Sequence, residues 1–244
     1  MLGLPDAITA CLFDMDGVIT QTAKVHDAAW KEMFDEFLRS WSAEHNQPFV
    51  PFDPVGDYDE YVDGKPRLEG TSSFLESRGI KLPQGEETDA SGTQTIWGLS
   101  NKKNDLVTQV IERDGVQPYE GSVRYVNAVR AAGLKTAIVS SSANTVAVLK
   151  AAGVAGLFEA RVDHQVAESL HLHGKPAPDT FLEAARMLGV PAANGCVFED
   201  ALAGVAAGRA GHFGFVVGVD RVGQADQLRA HGADAVVKDL AELL

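Results

Sequence analysis

The sequence predicts an α/β fold: a parallel β-sheet covered on both faces by helices and interrupted early by a helical insert. Three observations predict it. Short, largely apolar runs at 8–13, 134–139, 195–198, 213–219 and 235–237 have the length and hydrophobicity of strands buried on both faces. Amphipathic stretches at 122–132, 143–152, 178–188 and 201–210 separate the later runs. Such alternation implies crossover connections and a doubly wound architecture. Between Thr22 and Pro118, by contrast, no convincing strand pattern occurs.

Taken in order, the first run, Ile8 to Phe13, ends on Asp14 and Asp16 inside "CLFDMDGVIT". Alone, that ending reads equally well as an ordinary Asp/Gly turn. The insert opens with "KVHDAAWKEMFDEFLRSW", where Val25, Ala29, Met33 and Phe37 form one helical stripe. Trp30 and Trp41, at helical spacing, read as packing residues. The Pro-, Gly- and Asp-rich stretch that follows predicts a largely irregular loop with one short helix, and "SSFLESRGI" and "SNKKNDLVTQVIERDG" predict two more helices. The expected division is therefore a core of 1–21 and 119–244 with a helical cap of 22–118. Within the core, "ALAGVAAGRAG" has the small residues of a helix lying close against a sheet. "HLH" at 171–173 has a metal-like spacing but suits a surface loop.

Composition narrows the function. A chain of 244 residues with 45% hydrophobic content builds a sizeable core, and a formal charge of −13 disfavours nucleic acid or an anionic membrane as partner. The two cysteines, Cys11 and Cys196, lie in apolar strand runs, which predicts buried thiols rather than a disulfide and suits a reducing compartment. No basic-then-apolar leader opens the sequence and no apolar run reaches ~20 residues, so the expectation is a cytoplasmic protein.

The candidate chemistry comes from the strand ends. In an open parallel sheet, ligands bind beyond the carboxyl ends of the strands. Asp14 and Asp16 follow the first strand. Ser140, Ser141 and Ser142 follow the second, Glu199 and Asp200 follow the "CVF" strand, and Lys175 sits in the Gly/Pro-bounded turn "HGKPAPDTF". Singly, these read as a hydroxyl turn, an acidic helix start and a solvated lysine. Together they bring acids, hydroxyls and a lysine to one sheet edge. Phosphoryl transfer through a Mg²⁺ ion fits that set. A hard dication relieves repulsion among carboxylates, a carboxylate can take up phosphate covalently, and fixed donors hold the phosphoryl oxygens. A dinucleotide site lacks its G-x-G-x-x-G, and a serine hydrolase lacks its G-x-S-x-G.

The "DMDGV" sequence, Ser140, Lys175 and Glu199-Asp200 resemble, in order, the four motifs of the haloacid dehalogenase superfamily. The resemblance implies a Rossmann-like core with a helical cap after the first strand. It implies Asp14 as nucleophile and Asp16 as general acid/base. Mg²⁺ would be held by Asp14, the Asp16 backbone carbonyl and Asp200 with Glu199 assisting, and Lys175 and Ser140 would hold the phosphoryl group. Within the superfamily, "FDMDGVITQTAKVHDAAW" is similar to the sugar-phosphate mutases and their phosphatase relatives. That likeness implies roles for Thr22 and His26 in controlling Asp16, for Arg67, Lys103 and Asn104 in substrate binding, and for Ser142 and Asn144 at a distal phosphate. A neighbouring lysine of that pattern is Ala143 here. The implied partner is a small phosphorylated sugar, with a sugar bisphosphate as activator of a mutase, acted on by a monomer. A phospho-receiver domain, the non-enzymatic rival, lacks a large insert after its first strand.

Overall fold

The computed structural model describes residues 2–244 and divides into two compact units. One comprises the chain up to Thr22 together with Val116–Leu244; the other is Ala23–Gly115.

The first unit is built on a parallel sheet of β1 (Ala10–Phe13), β2 (Lys135–Val139), β3 (Ala160–Val162), β4 (Gly195–Glu199), β5 (Phe215–Val219) and β6 (Ala235–Val237). Its strand order is β3-β2-β1-β4-β5-β6. Helices α4 (Glu120–Ala131), α5 (Thr145–Ala151), α6 (His164–Ser169), α7 (Asp179–Leu188), α8 (Leu202–Ala210) and α9 (Ala225–Ala230) connect the strands. The expected sheet and its α/β class are present. The predicted strands recur with boundaries within two residues of those expected, and β3 is an addition. Its sequence, ARV, carries an exposed Arg161 between two buried residues at the sheet edge, so it shows no continuous apolar run. The central strands are apolar because both faces are covered: Leu12, Val197, Val216, Phe181 and Val205 share one fully buried cluster. The order reverses around β1, which pairs with β2 on one side and β4 on the other. That reversal opens a crevice at the carboxyl edge of the sheet, where ligands bind in this architecture.

The second unit consists of α1 (Ala23–Glu44), α2 (Arg67–Ser77) and α3 (Ile96–Asp114), with a single π-helical turn at Tyr58–Val62 between the first two. Ala29, Met33 and Phe37 of the predicted stripe are buried on α1. Trp30 stacks on Phe34 with ring centroids 5.3 Å apart, and Phe34 meets Phe52 and Phe74 at 5.2 and 4.1 Å. These rings form the unit's core.

Cys11 and Cys196 are both buried free thiols, facing each other as register partners across β1 and β4. No helix among the described residues is long and apolar enough to cross a membrane.

Candidate active site

The site grows out of the pairing of β1 with β4. Phe13 and Phe198 are register partners whose rings stack at 4.5 Å, and the Asp14 amide donates to the Phe198 carbonyl at 2.9 Å. Asp14 and Glu199 therefore leave the sheet at the same level on adjacent strands. The β2 end lies beside them, where the Ser140 amide donates to the Val162 carbonyl at 3.0 Å.

Lys175 joins these strand ends. Its buried ammonium forms short ion pairs with Asp14 and Glu199 and lies 3.4 Å from the Val139 carbonyl. It reaches them from the turn before α7, with a cis peptide bond to Pro176. Desolvation alone would lower the lysine pKa; the facing carboxylates outweigh it and hold the group charged. The Asp14 carboxyl is pushed well above the usual range, first by burial and further by the charges of Glu199 and Asp16, with Lys175 opposing. A single ammonium faces Asp14 and Glu199, and the Asp200 carboxylate lies close to both.

Each of these three acids offers a carboxylate oxygen within 4.8 Å of the others. An all-oxygen set of carboxylate donors fits a hard divalent cation such as Mg²⁺. The oxygens are not equivalent. Glu199 accepts from Lys175 through Oε1 and from the Ala201 amide through Oε2 at 2.9 Å, so both its oxygens are engaged by protein donors. Lys175 holds only Oδ1 of Asp14.

Asp16, half-buried, accepts a short hydrogen bond from the Thr22 hydroxyl, which lies 2.7 Å from that of Thr20. The two chain crossings are themselves tied: the Gln21 amide donates to the Gln117 carbonyl and the Tyr119 amide to the Ile19 carbonyl, both near 2.9 Å. Ser140, Ser142 and Asn144 form a stepped turn before α5. The Ser142 amide donates to Oγ of Ser140 and the Asn144 amide to Oγ of Ser142, each at 3.1 Å.

In the helical unit, His26 on α1 and Lys103 on α3 meet at 2.8 Å, and the Lys103 ammonium sits 4.8 Å from the Trp30 ring centroid. An ammonium only donates, so Nδ1 of His26 accepts and the neutral ring carries its proton on Nε2. Arg67 begins α2, its guanidinium carbon 5.8 Å from the Trp97 ring centroid, and Asn104 follows Lys103 on α3. The "HLH" histidines stay apart from the acid cluster: His173 is exposed and pairs with Asp179 at 3.0 Å.

Several contributors lie outside the residues singled out from sequence. Gly17 has φ +83°, and a β-carbon there would run into the Asp200 carboxylate; a β-carbon at Gly204 would run into that of Glu199. The glycines of "ALAGVAAGRAG" therefore admit a carboxylate as well as close helix–sheet packing. The loop after β5 contributes Arg221 to the Gly17 carbonyl and Gln224 to the Asp200 carbonyl. Its available signal was "DRVGQ" directly after a buried strand, the same strand-end position as the other site loops.

A model of the haloacid dehalogenase-like hydrolases matches residues 8–212. A β-phosphoglucomutase of Mycobacterium tuberculosis is 53% identical over 247 residues, covering 100% of this chain and 94% of that protein. The β-phosphoglucomutase of Bacillus subtilis is 31% identical over 96% of this chain and 91% of its own. A solved β-phosphoglucomutase structure from Clostridium difficile covers 97% of this chain and 93% of its own, with 27% identity and a TM-score of 0.75.

Proposed function

The chain belongs to the haloacid dehalogenase-like hydrolase family, and we propose that within it the protein is a Mg²⁺-dependent β-phosphoglucomutase interconverting β-glucose 1-phosphate and glucose 6-phosphate. The observation that carries this reading is the 53% identity to a β-phosphoglucomutase along the whole chain. The buried Asp14–Lys175–Glu199 cluster at the sheet's switch point supports it.

Asp14 is the nucleophile. Lys175 restrains Oδ1, which leaves Oδ2 to bond phosphorus. In one half-reaction phospho-Asp14 gives its phosphoryl group to the sugar O6 while Asp16 takes the hydroxyl proton. In the other, Asp14 takes the phosphoryl group from O1 of the bisphosphate, the O1–P bond breaks, and Asp16 returns the proton to O1. Thr22, through its bond to Asp16, controls when that carboxyl is available. The Lys175 ammonium and the Ser140 hydroxyl hold the transferring oxygens. Asp14, the Asp16 main-chain carbonyl and Asp200 would hold the magnesium ion, with Glu199 assisting. When bound, that ion neutralises phosphoryl and carboxylate charge together.

The remaining assignments follow the family likeness. His26 governs Asp16 together with Thr22; Arg67, Lys103 and Asn104 bind the sugar phosphate; Ser142 and Asn144 take the phosphate distal to the reaction. Arginine suits that task because its planar fork grips phosphate bidentately. Ala143, where the mutase pattern has a lysine, removes one cation from the distal-phosphate segment.

The test is incubation with Mg²⁺, β-glucose 1-phosphate and a trace of the 1,6-bisphosphate, following glucose 6-phosphate and free phosphate together. Isomerised product without matching phosphate release is expected. Phosphate released as fast as the substrate disappears, with no glucose 6-phosphate, would make the protein a sugar-phosphate phosphatase instead.

A further inference from the structure

Behind the acid cluster lies a part of the molecule with no assigned role, the loop that follows β5. Asp220 folds it: Oδ1 accepts the Gly223 amide at 2.6 Å and the Gln224 amide at 2.8 Å. That turn sends two side chains to two different loops of the site. Arg221 donates from Nε to the Gly17 carbonyl at 2.8 Å. Gln224, buried, donates from Nε2 to the Asp200 carbonyl at 3.0 Å.

Both acceptors are main-chain atoms of segments that carry acids of the cluster. Gly17 directly follows Asp16, and its positive φ marks it as the freest hinge of that segment. Tethering its carbonyl fixes the Gly17–Val18 peptide plane, and the Gly17 amide, which donates to the Thr20 carbonyl at 2.8 Å, fixes the adjoining plane that presents the Asp16 carbonyl. Gln224 does the same for the main chain at Asp200. Gly17 and the Asp200 carboxylate are packed so closely that no β-carbon fits between them, so a small change in either tether alters the spacing of the acids directly.

Arg221 is itself rigidly held. Its guanidinium carbon is 3.6 Å from the centroid of the Tyr119 ring, and Nη1 donates to the Lys238 carbonyl at 2.7 Å and faces Asp239 at 3.4 Å. The side chain is only 15% exposed. One planar group thus grips the first acid loop, the C-terminal segment and the returning chain at Tyr119. A lysine at this position could make one of these contacts but not the set, because it lacks the fork and the stacking face.

We propose that Arg221, with Gln224, is a positioning residue that sets the spacing of the Asp14–Gly17 and Glu199–Asp200 loops and thereby the affinity of the site for its divalent cation. The proposal rests on the reading of Asp14, Asp16 and Asp200 as Mg²⁺ ligands. Residues that support metal ligands from behind typically alter affinity by 10–100-fold when removed.

The experiment is calorimetric titration of Mg²⁺ into the metal-stripped full-length protein, for wild type, Arg221→Ala, Arg221→Lys and Gln224→Ala. Circular dichroism and thermal unfolding in EDTA establish that each variant is folded. Arg221→Ala is expected to weaken Mg²⁺ binding by about tenfold, with Arg221→Lys failing to restore it and Gln224→Ala giving a smaller loss in the same direction. Turnover should follow: the Mg²⁺ concentration for half-maximal rate rises by the same factor, while kcat at saturating Mg²⁺ stays within about threefold of wild type. If Arg221→Ala does not fold, Arg221→Lys and Gln224→Ala carry the test. Wild-type affinity in the folded variants overturns the positioning role and leaves the proposed function standing. A wild-type protein that takes up no Mg²⁺ overturns the metal reading itself, and the positioning role with it.

Discussion

The two units bury very different things. The α/β unit encloses charge: Lys175, Glu199 and Asp14 are all buried at the carboxyl edge of its sheet. The helical unit encloses aromatic rings, with Phe34, Phe52 and Phe74 packed within about 5 Å of one another. Aromatic burial stabilises its unit directly, through area removed from water and ring–ring geometry. A buried charge cluster is worth little net stability, since desolvation offsets most of the Coulombic attraction. The proposed mechanism gives such a site its use, with Asp14 as the nucleophile. The helical unit contains one echo of that arrangement, the buried Lys103 against His26 and Trp30.

This contrast can be broken most severely at Asp14. Asp14→Asn should lower turnover on the order of 10⁴-fold or more, while the melting temperature stays level or rises, because a neutral amide costs less to bury than a carboxylate. Steady-state assay and thermal unfolding in EDTA measure both. Substantial remaining activity would remove the covalent step, and a large fall in stability would mean that the cluster is structural after all.

The converse applies to Phe74, fully buried against Phe34 and Phe52. Phe74→Ala should cost roughly 3–5 kcal/mol in urea unfolding, with turnover per folded molecule falling far less than for Asp14→Asn. If chemistry failed as completely as stability, the division between the two kinds of core would be wrong.

A subtler sharpening uses the acids of the helical unit. Burial pushes the Asp59 carboxyl up, and the nearby charges of Asp27 and Asp53 push it further. A carboxyl whose folded-state pKa is raised favours folding while protonated and loses that contribution as pH rises through the folded pKa. Asp59→Asn should therefore raise the melting temperature modestly at pH 7. The gain should shrink as the pH is lowered toward the ordinary carboxyl value of 3.8. A gain that persists unchanged at pH 4 would assign the effect to packing instead of charge.

The smallest expected effect is none. Burial raises the pKa of both Cys11 and Cys196 far above the ordinary thiol range. Neither should react with iodoacetamide at pH 8 until the protein is unfolded, as mass spectrometry of native and urea-treated samples would register. Rapid native labelling would mean that the sheet under the acid cluster opens.

The legibility of the fold depended on length and composition. Runs such as Leu134–Val139 and Phe213–Val219 announce buried strands because both faces of a parallel sheet exclude water, so most positions are apolar and the exposed Lys135 falls at the first residue of its strand. Asp14, Lys175, Glu199 and Asp200 were readable because a strand that stops on polar residues places them at one sheet edge. β3 was not readable, since a three-residue edge strand with Arg161 facing outward has no periodicity to detect. The short helices α6 and α9 hide for the same reason, having six residues each.

The sequence by itself determined the class of chemistry: which residue types stand at which strand ends, in what order, with a helical insert after the first strand. Tertiary structure alone decided who touches whom. Lys175 reaches Asp14 across a separation of 161 residues, and Arg221 reaches Gly17 across 204. No local pattern encodes such contacts, because they depend on the order in which strands pair and on the turn that Asp220 imposes. The same holds for Gly17 and Gly204, whose missing side chains leave room for the Asp200 and Glu199 carboxylates. A glycine's vacancy has meaning only once another part of the chain has been folded against it.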